Sequence, residues 1–352
     1  MSWTAVRTVA VLELRQRVRS TRWRVMLVVW GVVLVLLCGG LSALAGMSGG
    51  KHEEIAPILY DVTLSFVLGI GLIVAPTLSA TSINGDRADA TLALLQATAL
   101  RSHEIVVGKL LAAWLAALAF LAVAAPFLLV FTMTGGATWT ALAGHLFVLA
   151  VSLGAVCAVG LGLSAATARP SASAVLTYLV VTALVIGTPI MMTLSTTAVH
   201  GKQRSIVYST DYDESTNNKQ VCEKDPYIYT SDIVHWEWIW WMLVPNPFVA
   251  LGDVSARAPV TDLDPRINYS PLGVLGLGVD TMRAPQPAEV VSYDCGSDSH
   301  STGDDDVRRP EHLVFWPATL LVLGLLGAWS LVSASRRLRT PVRALARGTR
   351  VA

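Results

Sequence analysis

A chain of 352 residues with 53% hydrophobic and 14% charged residues, and a mean hydropathy of +0.55, has the composition of a membrane protein rather than of two soluble domains. Its formal net charge of +1 conceals how the charges are distributed, and no nucleic-acid partner is expected.

The position of the charges is more informative than their sum. Residues 1–24 hold six Arg and one acid, residues 336–350 hold six Arg and no acid, and residues 198–312 hold nine basic residues against 18 acids. Lys and Arg mark the cytoplasmic flank of a membrane protein. Both termini are therefore expected in the cytoplasm, the long acidic segment outside, and the number of spans even.

In chain order, Trp3 to Arg24 reads as an amphipathic helix, with Trp3, Val6, Ala10, Leu14 and Val18 on one side and Arg7, Arg15 and Arg22 elsewhere. Such a helix is expected along the inner membrane surface, its Arg side chains meeting anionic headgroups. Span one follows at about Val25 to Ala45. Ala43-Leu44-Ala45 resembles a signal cleavage site, but an apolar run of span length after a long n-region is expected to stay uncleaved. Cys38 reads as a small apolar residue facing lipid or a helix. Lys51-His52-Glu53-Glu54 reads as a short solvated outer loop, since sequence neighbours do not by themselves converge on a metal. Span two runs from about Pro57 to Ala80. Asp61, one turn inside it, is the acid expected to approach the bilayer core, and so a candidate pathway residue.

Between spans two and three lies Asn84 to Lys109, NGDRADATLALLQATALRSHEIVVGK. From Ala88 it reads as a short amphipathic helix with Leu92, Leu95 and Leu100 among small and polar residues, headed by Asp86, Arg87 and Asp89 and followed by Arg101, His103 and Glu104. Two readings fit the residues: a handle for a second protein, or a helix lying under the headgroups. The order Asp86-Arg87-x-Asp89, then Thr91-Leu92-x-Leu94-Leu95, then Ala99-Leu100 with Glu104-Ile105 and Gly108-Lys109 resembles the signature of ABC-2 type transporter permeases. That family usually shows Glu at 86 and 89, often Gly at 90 and often Pro at 99. The resemblance implies that residues 84–103 are a cytoplasmic coupling helix docking on an ATPase subunit, with Asp86, Arg87, Asp89, Thr91, Leu92, Leu95 and Glu104 as its contact set.

Span three is expected from Glu104 to Phe131, with Pro126 kinking or loosening it and Lys109 snorkelling to the cytoplasmic surface. Gly135-Gly136 returns the chain into span four, Thr140 to Ala168, where Gly154, Gly160, Gly162 and Ser164 allow close helix packing. Cys157 reads as a packing residue. Arg169-Pro170 leads to span five, Ala172 to Thr197. The segment 198–312 is polar and contains Cys222 and Cys295, which suggest a disulfide in an oxidising compartment, the other readings being a metal pair or free thiols. Trp236, Trp238, Trp240 and Trp241, before Pro245-Asn246-Pro247-Phe248, suggest an amphipathic helix or re-entrant element at the outer leaflet, or a plain core for the outer segment. ABC-2 permeases similarly place outer half-helices between their last two spans. Asp304-Asp305-Asp306 reads as an acidic linker before span six, about Leu313 to Val332, which Arg336, Arg337 and Arg339 stop.

Gly108-Lys109 is not a phosphate loop: the positions that would need Gly and Ser or Thr hold His103 and Leu110. The sequence also lacks a His-Glu-x-x-His motif. The expectation is an all-α membrane protein of six transmembrane helices: an amphipathic helix at 1–24, spans one to five at 25–197, an extracytoplasmic insertion at 198–312, span six at 313–335 and a basic tail at 336–352. The resemblance implies a non-catalytic subunit without its own cofactor, served by a partner ATPase that uses ATP and Mg. It also implies a second permease subunit, as homodimer or heterodimer, in a lipid membrane. The rival readings are a secondary transporter or flippase without an ATPase, and a membrane scaffold or receptor.

Overall fold

The computed structural model describes residues 2–47, 52–88, 100–216, 219–222, 224–257, 270–294 and 310–338, and they are mostly helical. Among the described residues, six helical stretches are long and apolar enough to cross a membrane: Thr21–Met47, Ile55–Ala88, Ser102–Met133, Trp139–Ala166, Pro170–Ala198 and Trp316–Arg337. At about 1.5 Å rise per residue, even the shortest covers a hydrocarbon core of about 30 Å.

Helix α1 (Trp3–Arg19) precedes the first span, and Ser2 caps it by accepting from Ala5 N. α2 (Thr21–Met47) is span one. α3 (His52–Ser79) and α4 (Ser82–Ala88) make span two with a turn between them, so the loop expected at Lys51–Glu54 is helical from His52 onward. α5 (Ser102–Met133) runs through Pro126 without interruption. Gly135, at φ +87°, makes the turn into α6 (Trp139–Ala166), where Thr138 Oγ1 caps the new helix from Ala141 N at 3.2 Å. Span five is α7 (Pro170–Thr182), a π-helical turn at Ala183–Gly187, and α8 (Thr188–Ser195).

α6 is the axis of the bundle. In the most apolar stretch of each span, 67% of α6 is buried, against 17% of α2 and 11% of span five. Small residues explain the close approach: a Cβ on Gly160 would lie 2.2 Å from Ser79 Oγ, and one on Gly162 would lie 2.7 Å from Ser330 Cβ. Larger side chains fill the space on the other faces. Leu64, Leu68, Leu128 and Leu149 are fully buried, and Trp30 Nε1 and Trp114 Nε1 donate to Phe120 O at 3.0 Å and Ala150 O at 2.8 Å. Cys38 and Cys157 are buried free thiols within this packing.

Between spans five and six the chain is not all-helical, which corrects the all-α expectation. β1 (His200–Thr216) pairs antiparallel with β2 (Lys219–Cys222) and β3 (Tyr227–Val234), and parallel with β4 (Glu289–Asp294). β-Branched and aromatic residues face one another across the ladder, with Ile206 opposite Ile228 and Val207 opposite Tyr227. The tryptophan run is likewise not one amphipathic helix but two 3₁₀ turns, Trp236–Trp238 and Trp240–Leu243. Trp236 and Trp240 turn inward onto Met192, Leu243 and Phe315, while Trp238 and Trp241 stay exposed. Two short helices follow, α9 (Pro247–Ala256) and α10 (Pro271–Thr281), before α11 (Trp316–Arg337) makes span six. α9 and α10 cross so closely that a Cβ on Gly276 would lie 2.1 Å from Gly252 O.

Candidate functional site

The arginine-rich end of the bundle gathers the described part of the Asn84–Lys109 region. Ile83 of α4, Val106 of α5, Leu161 and Ala165 of α6, and Ala334 and Leu338 at the far end of the chain form one buried cluster, so both described chain ends lie here. α1 packs on α5 at Gly108, where an added Cβ would be 2.7 Å from Val9 Cβ and 3.1 Å from Val6 O. Val6, Val9 and Ala10 are buried by that contact.

Lys109 follows at once, and its side chain is 1% exposed. It is ion-paired with Glu13 of α1 and, at 2.7 Å, with Asp86 of α4, and Ser82 O and Oγ lie 3.4 Å away. The expectation that Lys109 snorkels to the surface is thereby overturned: α1 covers its route to water, and two carboxylates meet the ammonium inside. Arg17, two residues after Arg15 on the same helix, donates to Leu78 O at 2.9 Å near the end of α3, a favourable place for a cation. Burial draws the Arg17 guanidinium below its ordinary value, while Glu13 pulls it upward.

Glu104 holds the other side of the same helix. Its Oε1 accepts from Ser2 N at 2.5 Å and its Oε2 from Arg101 N at 3.0 Å, the latter being half of a capping box. Asn84 pins α4 to the connection between α6 and α7, donating to Thr167 Oγ1 at 3.1 Å and Ser173 Oγ at 3.2 Å. Ser164 Oγ accepts from both Ile83 N and Asn84 N at 3.1 Å. Arg87 reaches Ala165 O at 3.5 Å. Thus Asp86, Arg87 and Glu104 are all engaged in anchoring the region, while Asp89, Thr91, Leu92 and Leu95 lie outside the described residues. The sequence reading missed Ser2, Glu13, Arg17 and Asn84 as partners. The signal for Glu13 was present, because it is the one acid among six arginines at the start of the chain.

At the opposite end, Asp61 is 2% exposed and its Oδ2 accepts from Leu272 N at 2.8 Å, in the first turn of α10. One residue earlier, Tyr60 Oη lies 2.9 Å from His145 Nδ1, whose other ring nitrogen is 3.0 Å from Ser255 Oγ of α9. Asp253 of α9 is fully buried: Oδ1 accepts from Arg257 Nε at 2.7 Å, and Oδ2 accepts from Phe315 N at 2.9 Å and Trp316 N at 3.0 Å, where span six begins. Arg257 also reaches Asp280 at 3.3 Å and His312 O at 2.8 Å, and Arg283 stacks over Trp240 at 4.7 Å. Of the cysteine pair, Cys222 ends β2 and Cys295 lies outside the described residues.

The six apolar helices of spanning length among the described residues, packed around a glycine-lined axis, define a multi-pass membrane protein. The model of the family described as ABC-2 family transporter protein matches residues 7–220, more than half of the chain, and the chain belongs to that family. Permeases of this family are generally non-catalytic and typically pair with an ATP-binding cassette subunit. No curated protein is significantly similar to the chain.

Proposed function

We propose that the chain is the membrane-spanning subunit of an ATP-binding cassette exporter, in the cell membrane with both termini cytoplasmic, moving an amphiphilic or lipid-like substrate as a separate ATPase subunit hydrolyses Mg-ATP. The observation that carries this reading, beside family membership, is the anchorage around residues 86–104: Asp86 at one side and Glu104 at the other both hold α1, through Lys109 and Ser2. A segment that transmits a partner's motion needs fixed posts at both ends, and these ion pairs and capping bonds supply them. The bare faces of α2 and span five support a second permease subunit beside them, since apolar helix surface is left uncovered there. Arg7, Arg15 and Arg19 are exposed on α1 and suit anionic headgroups of the inner leaflet. The engagement of Asp61 with Leu272 N supports an anchoring role for that carboxylate over an ion-coupling one.

Topology is tested by cysteine labelling in intact cells. A cysteine replacing Ser209 is expected to react with an impermeant reagent from outside, and one replacing Ser2 is not; external labelling at Ser2 overturns the orientation. Coupling is tested with Leu95→Asp in purified complex in nanodiscs, with folding confirmed. A Leu side chain buried against a partner contributes about 1.5–3 kcal/mol, so this change is expected to weaken assembly or lower substrate-stimulated ATP hydrolysis by tenfold or more. Normal assembly with normal stimulation removes the coupling role.

A further inference from the structure

Span five is broken at a specific place. Its turn at Ala183–Gly187 is π-helical, and Pro189 follows two residues later. Proline has no N–H, so Val185 O loses the donor that a regular α-helix would offer it from position 189. Inside a membrane such a carbonyl needs a donor from a neighbour. Asn246 provides one: its Nδ2 donates to Val185 O at 3.0 Å and to Thr188 Oγ1 at 3.0 Å. The same side chain, 4% exposed, caps α9, its Oδ1 accepting from Phe248 N at 3.0 Å. One amide therefore finishes the start of an outer half-helix and the broken turn of a span.

The two sides of the break pack against different partners. Below it, Ser173 Oγ of α7 donates to Ala80 O at 2.6 Å, and Tyr178 Oη donates to Ile73 O at 3.0 Å, tying that half to span two. Above it, Met192 of α8 is buried with Leu243, Val249, Val279 and Phe315, from the tryptophan turns, α9, α10 and the approach to span six. π-Turns recur where helices carry functional bends.

We infer that Asn246 is the positioning residue that fixes the outer half of span five to the α9–α10 pair, so that the two move as one body about the widened turn Ala183–Gly187. The inference uses no property of an ATPase or a substrate, and it stands or falls separately from the proposed function.

The test uses the full chain in nanodiscs, with spin labels carried on unnatural amino acids at Thr197, beyond α8, and Thr281, at the end of α10, leaving the four cysteines in place. Wild type is expected to give one narrow distance. Asn246→Ser keeps a good cap for α9 but is too short to reach Val185 O; it is expected to lower the unfolding temperature and to lose the narrow distance. Pro189→Ala returns a backbone N–H to Val185 O. The double variant Asn246→Ser/Pro189→Ala is therefore expected to regain the unfolding temperature while the distance stays broad, and it also serves if the single variant does not fold. A narrow distance in the foldable serine-containing variant overturns the inference, as does recovery of temperature and narrow distance together, because Asn246 would then merely satisfy a bare carbonyl.

Discussion

Replacing Lys109 with methionine is expected to release α1 from the bundle. Methionine matches the length of the buried stem but removes the charge, leaving Glu13 and Asp86 turned toward one another with no ammonium between them. Removing one partner of a buried ion pair typically costs about 3–5 kcal/mol. The two acids are 17% and 24% exposed, so water screens part of the loss and the lower end of that range applies. Glu13→Gln is expected to be milder, closer to 1 kcal/mol, because Lys109 then keeps Asp86. Hydrogen exchange across residues 3–19, measured beside denaturant unfolding in nanodiscs, reads both effects. Unchanged protection of α1 in Lys109→Met would sink this account of the cluster.

Asp253→Ala is expected to open the other end. Its carboxylate satisfies two backbone N–H groups at the start of span six and the guanidinium of Arg257. Alanine takes the acceptor from the Phe315 and Trp316 amides, while Arg257 keeps Asp280 and His312 O, for a loss of about 3 kcal/mol. Asp253→Asn keeps one acceptor oxygen and is expected to lose less. The amides of Phe315 and Trp316 should exchange faster in both variants, in that order of severity. Equal protection in wild type and Asp253→Ala would show that these backbone groups draw their stability from elsewhere.

The six spans were legible because the bilayer imposes one rule on every stretch that crosses it, and composition alone marks such stretches. The packing role of Gly160 and Gly162 was legible for the same reason: small residues in an apolar run have few other uses. Lys109 was visible as an oddity but was assigned the wrong surroundings, since nothing local announces that α1, some hundred residues earlier, lies across it. The sheet was missed because β1 carries polar residues on a strand that the bilayer does not constrain, so its pairing with β3 and β4 depends on partners far along the chain. In sequence nothing marks Asp253, and Asn246 stands only as part of Pro245-Asn246-Pro247-Phe248. Only the meeting of α9 with the broken turn of span five and the start of span six gives them their donors and acceptors.

Besides Arg17 on Leu78 O, helix α1 touches the bundle at three contacts in a row: Ser2 on Glu104, Val9 on Gly108, and Glu13 on Lys109. Two are polar grips near its ends and the middle one is a close steric seat. In mechanical terms this is a beam resting on a fulcrum with a clasp at either side. All three contacts are made to a single helix, α5, within little more than one turn and a half of its length. A tilt of α1 that lifts one clasp must press the other, so displacement of residues on either side of 86–104 would reach span three as a rocking of its first turns rather than as a sliding of the whole helix.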